Sequence, residues 1–197
     1  RMIGNSNENS VLFKLNKKRH FNWVNDSKSF SEKQNRLVWR GGAYQKLRKE
    51  FVKQFYDHPK CNVGQTNLPK ENVLWQKQFM SKQAQLDYKF IFCPEGNDVS
   101  TNLKWVMSSN SICFMPRPRY ETWFMEGLLE PGVHYVEIRS DFSDLEEKID
   151  YYSTQIREAE EIISNAHRHV ARFQNQDLED LLSIKILERY FKLSGQL

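Results

Sequence analysis

The sequence contains no apolar run of about eighteen residues, so no stretch of it predicts a membrane-spanning helix. Its start is polar and lacks the apolar segment of a secretory signal peptide. The three cysteines, Cys61, Cys93 and Cys113, are odd in number and widely spaced, which argues against a disulfide framework or a zinc site. Cys93 and Cys113 lie in apolar runs, where a thiol serves as a small hydrophobic group, and this favours a reducing compartment.

The length of 197 residues suits one domain with room for a small second element. Hydrophobic residues make up 39% of the chain, which is enough for a packed core. The net charge of +4 favours anionic partners such as phosphates, nucleic acid or an acidic membrane surface, although a solvated surface with surplus lysine gives the same balance. The basic residues cluster in two places: Lys14, Lys17, Lys18 and Arg19, and then Arg117 and Arg119.

Short apolar runs alternate with segments of helical character through the middle of the chain. Runs at 89–93, 111–115 and 134–138 predict strands, with helices between them at 100–109 and 121–128. This alternation is typical of a parallel α/β sheet layered with helices. Shorter strands are predicted at 11–15 and 37–39, and residues 57–78 are predicted to be an irregular connection. Further helices are predicted at 44–56, 79–86, 141–152, 157–174 and 177–193, the last with its leucines buried.

The strand predicted at 89–93 ends in a polar turn, P-E-G-N-D at 94–98, that leads into a helix. In open α/β sheets, ligands bind beyond the carboxyl ends of the strands, so we expect a ligand at this turn. Asp98 or Ser100 is expected to cap the helix, which would leave its first N–H groups free beside Gly96.

A second turn of interest follows the strand predicted at 37–39. It reads Arg40, Gly41 and Gly42 and precedes a helix that carries Arg48 in its first turns. Adjacent glycines let the backbone approach a ligand, and the two arginines could donate paired hydrogen bonds to a phosphate. An ordinary strand-to-helix turn, with its glycines serving geometry alone, explains the same residues, and the spacing matches neither the Walker A motif nor the dinucleotide fingerprint.

Several polar side chains near strand ends are candidates for chemistry. Glu95, Asp98 and Glu121 are the carboxylates in such positions, although capping explains Asp98 and a surface position explains Glu121. His167 and His169 are two residues apart, so on a helix they point in different directions and do not predict a metal site. No Ser-His-Asp or Cys-His arrangement follows from the spacing.

Three stretches in order resemble glycosyltransferase family 90. They are W-R-G-G-A-Y-Q-K-L-R at 39–48, Y-K-F-I-F-C-P-E-G-N-D-V-S-T-N-L-K-W at 88–105 and E-P-G-V-H-Y-V-E-I-R-S-D-F-S-D-L at 130–145. The resemblance runs from about residue 37 to residue 145 and is closest to the bacterial lipopolysaccharide-core branch. It implies the C-terminal, Rossmann-like half of a glycosyltransferase-B fold, which binds the nucleotide sugar, followed here by an α-helical tail.

The resemblance also assigns site residues. Gly42 takes the position where glucosyltransferases have a serine at the nucleotide, next to Arg40 and Gly41, and Arg48 takes the position of the arginine that grips the diphosphate. The turn that wraps UDP falls on Gly96, Asn97, Asp98, Val99, Ser100, Thr101 and Asn102. Relatives often have an arginine where this chain has Asn102, so Lys104 or Arg119 is expected to replace it, and Glu121 is expected to hold the ribose.

The implied function is transfer of a hexose from a UDP-sugar to a saccharide acceptor, lipopolysaccharide core, by an inverting mechanism that needs no metal and no cofactor. The implied location is the cytoplasm, peripheral to the inner membrane. The base in the family is an aspartate well upstream of the Arg-Gly motif, so we expect it outside this chain, with Asp98 and Glu121 as weaker candidates. The alternative is a non-catalytic nucleotide- or nucleic-acid-binding α/β module, but aromatic residues are not interleaved with a dense basic face, so nucleic acid is not expected.

The expected organisation has three parts. Residues 1–35 are a linker or the remnant of an N-terminal portion, residues 36–153 form the Rossmann-like nucleotide-sugar-binding domain, and helices at 154–197 pack on the sheet or cross back to that portion. The first residue is Arg1 with Met2 second, so we expect that further chain precedes this sequence.

Overall fold

The computed structural model describes residues 1–4, 7, 10–14 and 20–197. Its centre is a five-stranded, all-parallel sheet with the strand order β2-β1-β3-β4-β5. The parallel α/β sheet predicted from the alternation of apolar runs and helices is confirmed. The strands are β1 (Gln34–Gly41), β2 (Cys61–Gln65), β3 (Tyr88–Phe92), β4 (Ile112–Met115) and β5 (Val136–Glu137).

Helices cover both faces of this sheet. Their bounds are α1 (Lys46–Phe55), α2 (Lys82–Gln85), α3 (Leu103–Met107), α4 (Leu145–Thr154), α5 (Ile156–Ala171) and α6 (Gln176–Leu193). One core joins α1, α4 and the first part of α5 to the sheet face that carries Trp39, Phe90 and Phe114. The other core joins α3 and the end of α5 to the opposite face. Because helices cover both faces, every residue of β3 and β4 is buried.

Two predictions about the middle of the chain are wrong. Residues 57–78, predicted to be irregular, contain strand β2, whose sequence C-N-V-G-Q has too few apolar residues to show a strand pattern. The helix predicted at 121–128 is only a short 3₁₀ turn, Glu126–Leu128. The Glu126 carboxylate accepts the Thr122 N–H at 2.7 Å, and Met125 adopts a left-handed backbone conformation with φ of 55°. A regular helix cannot pass through that conformation.

The first residues are held to the sheet domain. Residue Met2 forms an antiparallel bridge with Tyr120, and the Ile3 N–H donates to the Arg119 carbonyl at 2.8 Å. No strand forms over residues 11–14, and Leu15 lies outside the described residues, as do Lys17, Lys18 and Arg19.

Helix α6 does not bury the leucines that its sequence pattern suggested. Leu181 and Ile184 are 52% and 61% exposed, whereas Glu179 is buried. The Glu179 carboxylate instead accepts the Trp123 indole N–H at 2.8 Å and pairs with Lys14 at 2.9 Å. The prediction of a buried apolar face is therefore wrong. Within the described ranges, no helix is both long and apolar enough to cross a membrane.

Candidate functional site

The strand order places a crevice between the carboxyl ends of β1 and β3. From β1 the chain passes through α1 to β2 on one side, and from β3 it passes through α3 to β4 on the other side. The two connections therefore diverge above two neighbouring strands. Open α/β sheets bind ligands at such a point, because the loops there leave a gap above the strand ends.

The Arg48 side chain joins the loops that follow β1 and β3. Its Nε donates to the Glu95 carbonyl at 3.1 Å and one terminal nitrogen donates to the Pro94 carbonyl at 3.0 Å. The other terminal nitrogen donates to the Gly42 carbonyl at 3.4 Å. A guanidinium has five N–H donors in one plane, so it can hold several carbonyls together and keep donors for a ligand. In this structure Arg48 fixes the shape of the crevice.

Gly96 makes the close approach of Arg48 possible. A Cβ atom at this position would lie 3.0 Å from a terminal nitrogen of Arg48, so any side chain would push the guanidinium away. Burial lowers the pKa of Arg48, and the nearby carboxylate of Asp98 partly offsets this effect. Asp98 itself is exposed. Next to it, the Asn97 side chain accepts a hydrogen bond from Gln45 at 3.2 Å. The turn at 96–98 and the start of α1 are thus directly joined.

A cleft of about 390 Å³ opens beside this turn. Its volume is in the range of small-molecule sites. The cleft is bounded by the first turns of α1, by the loop after β3 and by the loop after β4. Residues that line it include Gln45, Lys46, Glu50, Gly96, Arg117 and Arg119. Three cations therefore face a space that backbone loops surround, an arrangement suited to an anion.

Glu95 fixes the loop after β4. Its carboxylate accepts the backbone N–H groups of Arg119 and Tyr120 at 2.8 and 3.1 Å and the Arg119 Nε at 2.9 Å. The Glu95 side chain is 12% exposed, whereas that of Arg119 is 63% exposed. Among the described residues, Glu95 holds the Arg119 side chain through Nε, which leaves the terminal nitrogens of the guanidinium for the cleft. In the sequence, Glu95 is recognisable only as a carboxylate at a strand end, since its partners lie 24 and 25 residues away.

The second half of the turn, residues 99–102, connects the end of β3 to the start of α3 and is packed against the domain. Val99 and Ser100 are buried, and Thr101 is half-buried. The Asn102 amide donates to the Phe92 carbonyl at 2.9 Å, and its oxygen accepts from the Ser100 hydroxyl. Helix α3 starts at Leu103 with Asn102 as its N-cap residue, so the expected capping by Asp98 or Ser100 is wrong. The Asn102 side chain is used at the end of β3 and does not cap the helix.

The structure does not bring Lys104 to the cleft. Its side chain is fully buried and pairs with Glu126 at 3.1 Å. The ammonium lies over the rings of Phe21 and Phe124, at 5.8 and 5.0 Å from their centroids. On α3, Lys104 points into the second core. Of the two candidates to replace the missing arginine, only Arg119 lines the cleft.

Arg40 also points away from the cleft. Its terminal nitrogens donate at 2.6 Å to the backbone carbonyl and to the side-chain oxygen of Asn62 on β2. Burial lowers the pKa of Arg40. The alternation of side chains along β1 puts Arg40 on the sheet face opposite α1, so it cannot join Arg48. Gly41 ends β1 against the Trp39 ring, which a Cβ would approach at 2.8 Å, and Gly42 supplies a carbonyl to Arg48.

Glu121 is paired with the first residue of the chain. The Nε of Arg1 donates to its carboxylate at 2.8 Å, and the terminal ammonium donates to its carbonyl at 2.9 Å. Glu121 does not line the cleft. Within the part of the chain that the structure describes, no three His, Cys, Asp or Glu side chains are grouped as metal ligands.

Comparison with known proteins finds relatives along most of the chain. The model of Glycosyl transferase family 90 matches residues 15–195. The sequence is 46% identical over 193 residues to the O-glucosyltransferase LpsA of Dichelobacter nodosus, a match that covers 98% of this chain and 61% of that protein. It is 28% identical over 143 residues to Protein O-glucosyltransferase 2 of Danio rerio, covering 68% of this chain and 28% of that protein. The chain thus spans about three fifths, or less, of the length of these curated relatives.

Proposed function

This chain belongs to glycosyltransferase family 90, and we propose that it forms the donor-binding half of a hexosyltransferase that uses a UDP-sugar. One observation carries the proposal: Arg48 joins the loops after β1 and β3, and Lys46, Arg117 and Arg119 line the cleft beside those loops. A nucleoside diphosphate leaving group carries negative charge, and arginines match phosphate oxygens with paired hydrogen bonds. The diphosphate would lie in the cleft beside Gly96, where no side chain blocks the backbone.

In the proposed inverting reaction, a hydroxyl of a saccharide acceptor attacks the anomeric carbon of the donor sugar. The bond from that carbon to the diphosphate oxygen breaks as the new bond forms, and UDP departs. Fixed cations at the cleft stabilise the charge that develops on the diphosphate, without a metal. The acceptor proton passes to a carboxylate base. We propose that this base lies outside the chain, because Glu121 is paired with Arg1 and away from the cleft, and Asp98 lies beside Arg48.

We propose glucose as the first donor sugar to test, because the relatives from Dichelobacter nodosus and Danio rerio are both named O-glucosyltransferases. The proposed acceptor is a lipopolysaccharide-core saccharide, as the resemblance of the motifs implies. The proposed place of action is the cytoplasm at the inner membrane, where such an acceptor is built.

Calorimetry with the 197-residue chain tests donor binding directly. We expect UDP and UDP-glucose to bind saturably at one site, with UDP-galactose as a second donor for comparison. A single-stranded RNA oligomer serves as the rival ligand, because a nucleic-acid-binding module would prefer it. Tighter binding of RNA than of UDP, with a steep salt dependence, would favour the alternative module. Sugar transfer is not part of this test, because the proposed base lies outside the chain. Affinities for UDP-glucose and UDP-galactose no different from that for UDP would favour a non-catalytic module that binds the nucleotide alone.

Replacing Glu95 with glutamine is expected to weaken UDP-glucose binding about tenfold, because Arg119 loses a charge-assisted hydrogen bond that holds it at the cleft. The matched control is Glu50→Gln, which removes the same charge from the same cleft. Among the residues that the structure describes, the Glu50 carboxylate pairs with Lys46, at 3.7 Å, and with no other cation. Overall charge alone predicts that both variants bind the anionic donor more tightly. Tighter binding by Glu95→Gln would therefore refute the positioning role, and weaker binding by Glu95→Gln alone would support it.

A further inference from the structure

A second surface of the molecule exposes large apolar side chains next to a row of lysines. Leu68, Leu74 and Phe79, in the segment between β2 and α2, are 75%, 76% and 82% exposed. Tyr44, just before α1, is 55% exposed. Isolated exposed apolar residues are ordinary, but several on neighbouring segments mark an interaction surface.

Contacts between neighbouring segments join these residues into one surface. The Tyr44 hydroxyl accepts the Leu68 N–H at 3.0 Å, which connects the start of α1 to the segment after β2. The Lys53 ammonium lies 5.6 Å from the centroid of the Trp75 ring, next to Leu74. Leu68 and Phe79 line one shallow depression together with Lys70. We call this the basic–apolar surface: the outer side of α1 and the exposed residues at 68–79.

The lysines form a stripe along the outer side of α1. Lys46, Lys49 and Lys53 are three and four residues apart, which puts them on one side of the helix. All three are exposed, as is Lys70. The acidic residues nearby are engaged: Glu50 lies 3.7 Å from Lys46, and Glu71 accepts from the Asn67 amide at 2.5 Å. The surface has four lysines, Lys46, Lys49, Lys53 and Lys70, against the two carboxylates, so its charge is net positive.

We propose that the basic–apolar surface binds the headgroup region of an anionic lipid bilayer. Lysines attract the negative surface of such a membrane, and side chains such as Leu and Phe insert at the boundary of headgroups and acyl chains. A protein partner fits less well, because protein interfaces are poor in lysine.

The basic–apolar surface adjoins the candidate site, since Lys46 and Glu50 also line the cleft. Binding to a bilayer would hold the cleft close to a saccharide that is anchored in lipid. This consequence for transfer rests on the proposed function. The docking itself does not, because vesicle binding needs neither donor nor acceptor.

Sedimentation with vesicles tests the docking. The full 197-residue chain is mixed with vesicles of phosphatidylcholine alone or with phosphatidylglycerol added. We expect binding to the anionic vesicles only and a steep loss of binding as salt rises. The variant Lys49→Gln/Lys53→Gln/Lys70→Gln is expected to bind roughly 100-fold more weakly, since each lysine near an anionic membrane contributes about fivefold in affinity. Leu68→Ser/Phe79→Ser is expected to bind more weakly even at low salt.

The matched control is Lys28→Gln/Lys185→Gln/Lys192→Gln, which removes the same charge from exposed positions elsewhere. Unchanged vesicle binding by this control supports a local surface. Equal losses in the two triple variants would overturn the proposal and leave only a general attraction of a basic protein. Absence of binding to anionic vesicles by the unaltered chain would also overturn it. Because UDP is absent, neither result depends on whether the chain binds a donor.

Discussion

Replacing Lys104 with methionine is expected to lower the free energy of unfolding by about 3–5 kcal/mol, because it leaves the Glu126 carboxylate buried without its counter-ion. Both side chains are almost fully buried, at 0% and 1% exposure, and their charged atoms lie 3.1 Å apart. Glu126 also accepts the Thr122 hydroxyl at 2.8 Å and the Thr122 N–H at 2.7 Å. The Glu126 carboxylate therefore holds the turn that follows β4, so we expect the loss of its counter-ion to destabilise that turn as well.

Urea denaturation of the unaltered chain and of Lys104→Met measures the effect. The single variant Glu126→Leu and the double variant Lys104→Met/Glu126→Leu complete a double-mutant cycle. We expect the double variant to recover part of the lost stability, since it no longer buries an unpaired charge. The control Lys185→Met removes a lysine that pairs with Glu188 on an exposed side of α6. It is expected to change stability by less than about 0.5 kcal/mol.

The same variant separates two roles for Lys104. A direct contact with the donor diphosphate would make Lys104→Met lose UDP binding while it keeps its stability. Burial with Glu126 predicts the reverse, a large loss of stability and little change in the affinity of the protein that remains folded. A change in stability within about 1 kcal/mol would contradict the structural role, because a broken buried pair costs more.

Replacing Arg48 with methionine is expected to weaken UDP binding about 100-fold. The guanidinium donates to the carbonyls of Gly42, Pro94 and Glu95, and so fixes the loops on both sides of the crevice. A factor of 100 corresponds to about 2.7 kcal/mol, which lies within the range of about 1.5–3 kcal/mol that one hydrogen bond from a charged group contributes. Calorimetry with UDP measures the affinity, and thermal denaturation shows how much stability is lost with it.

The variant Arg48→Lys tells whether Arg48 also contacts the diphosphate. Lysine keeps the positive charge but cannot reach three carbonyls in one plane. Tighter UDP binding by Arg48→Lys than by Arg48→Met would show that the charge acts on the ligand. Equal weakening by both would show that Arg48 acts by holding the loops. The control Lys53→Met removes a charge five residues further along α1 and is expected to leave the UDP affinity unchanged. Unchanged UDP affinity in Arg48→Met would contradict both roles.

The sequence alone determined much of the architecture and the family of this protein. The strands β3 and β4 appear as largely apolar runs because helices cover both faces of the sheet there. The family follows from motifs that keep their order and spacing along the chain, which needs no knowledge of side-chain direction. Strand β2 lacked such a signal, because the sequence C-N-V-G-Q alternates too weakly between apolar and polar residues to predict an edge strand.

Only the tertiary structure decided which charged residues reach the cleft. Arg40 and Lys104 occupy plausible positions in the motifs, yet one pairs with Asn62 across the sheet and the other with Glu126 in the core. Glu95 and Arg119 meet because β3 and β4 are neighbours and their following loops share one edge. The physical reason is that a shift of one residue along a strand turns a side chain to the opposite face of the sheet. The partner that the side chain then meets is set by the order of the strands. Neither the face to which a side chain points nor its partner can be deduced from spacing along the chain.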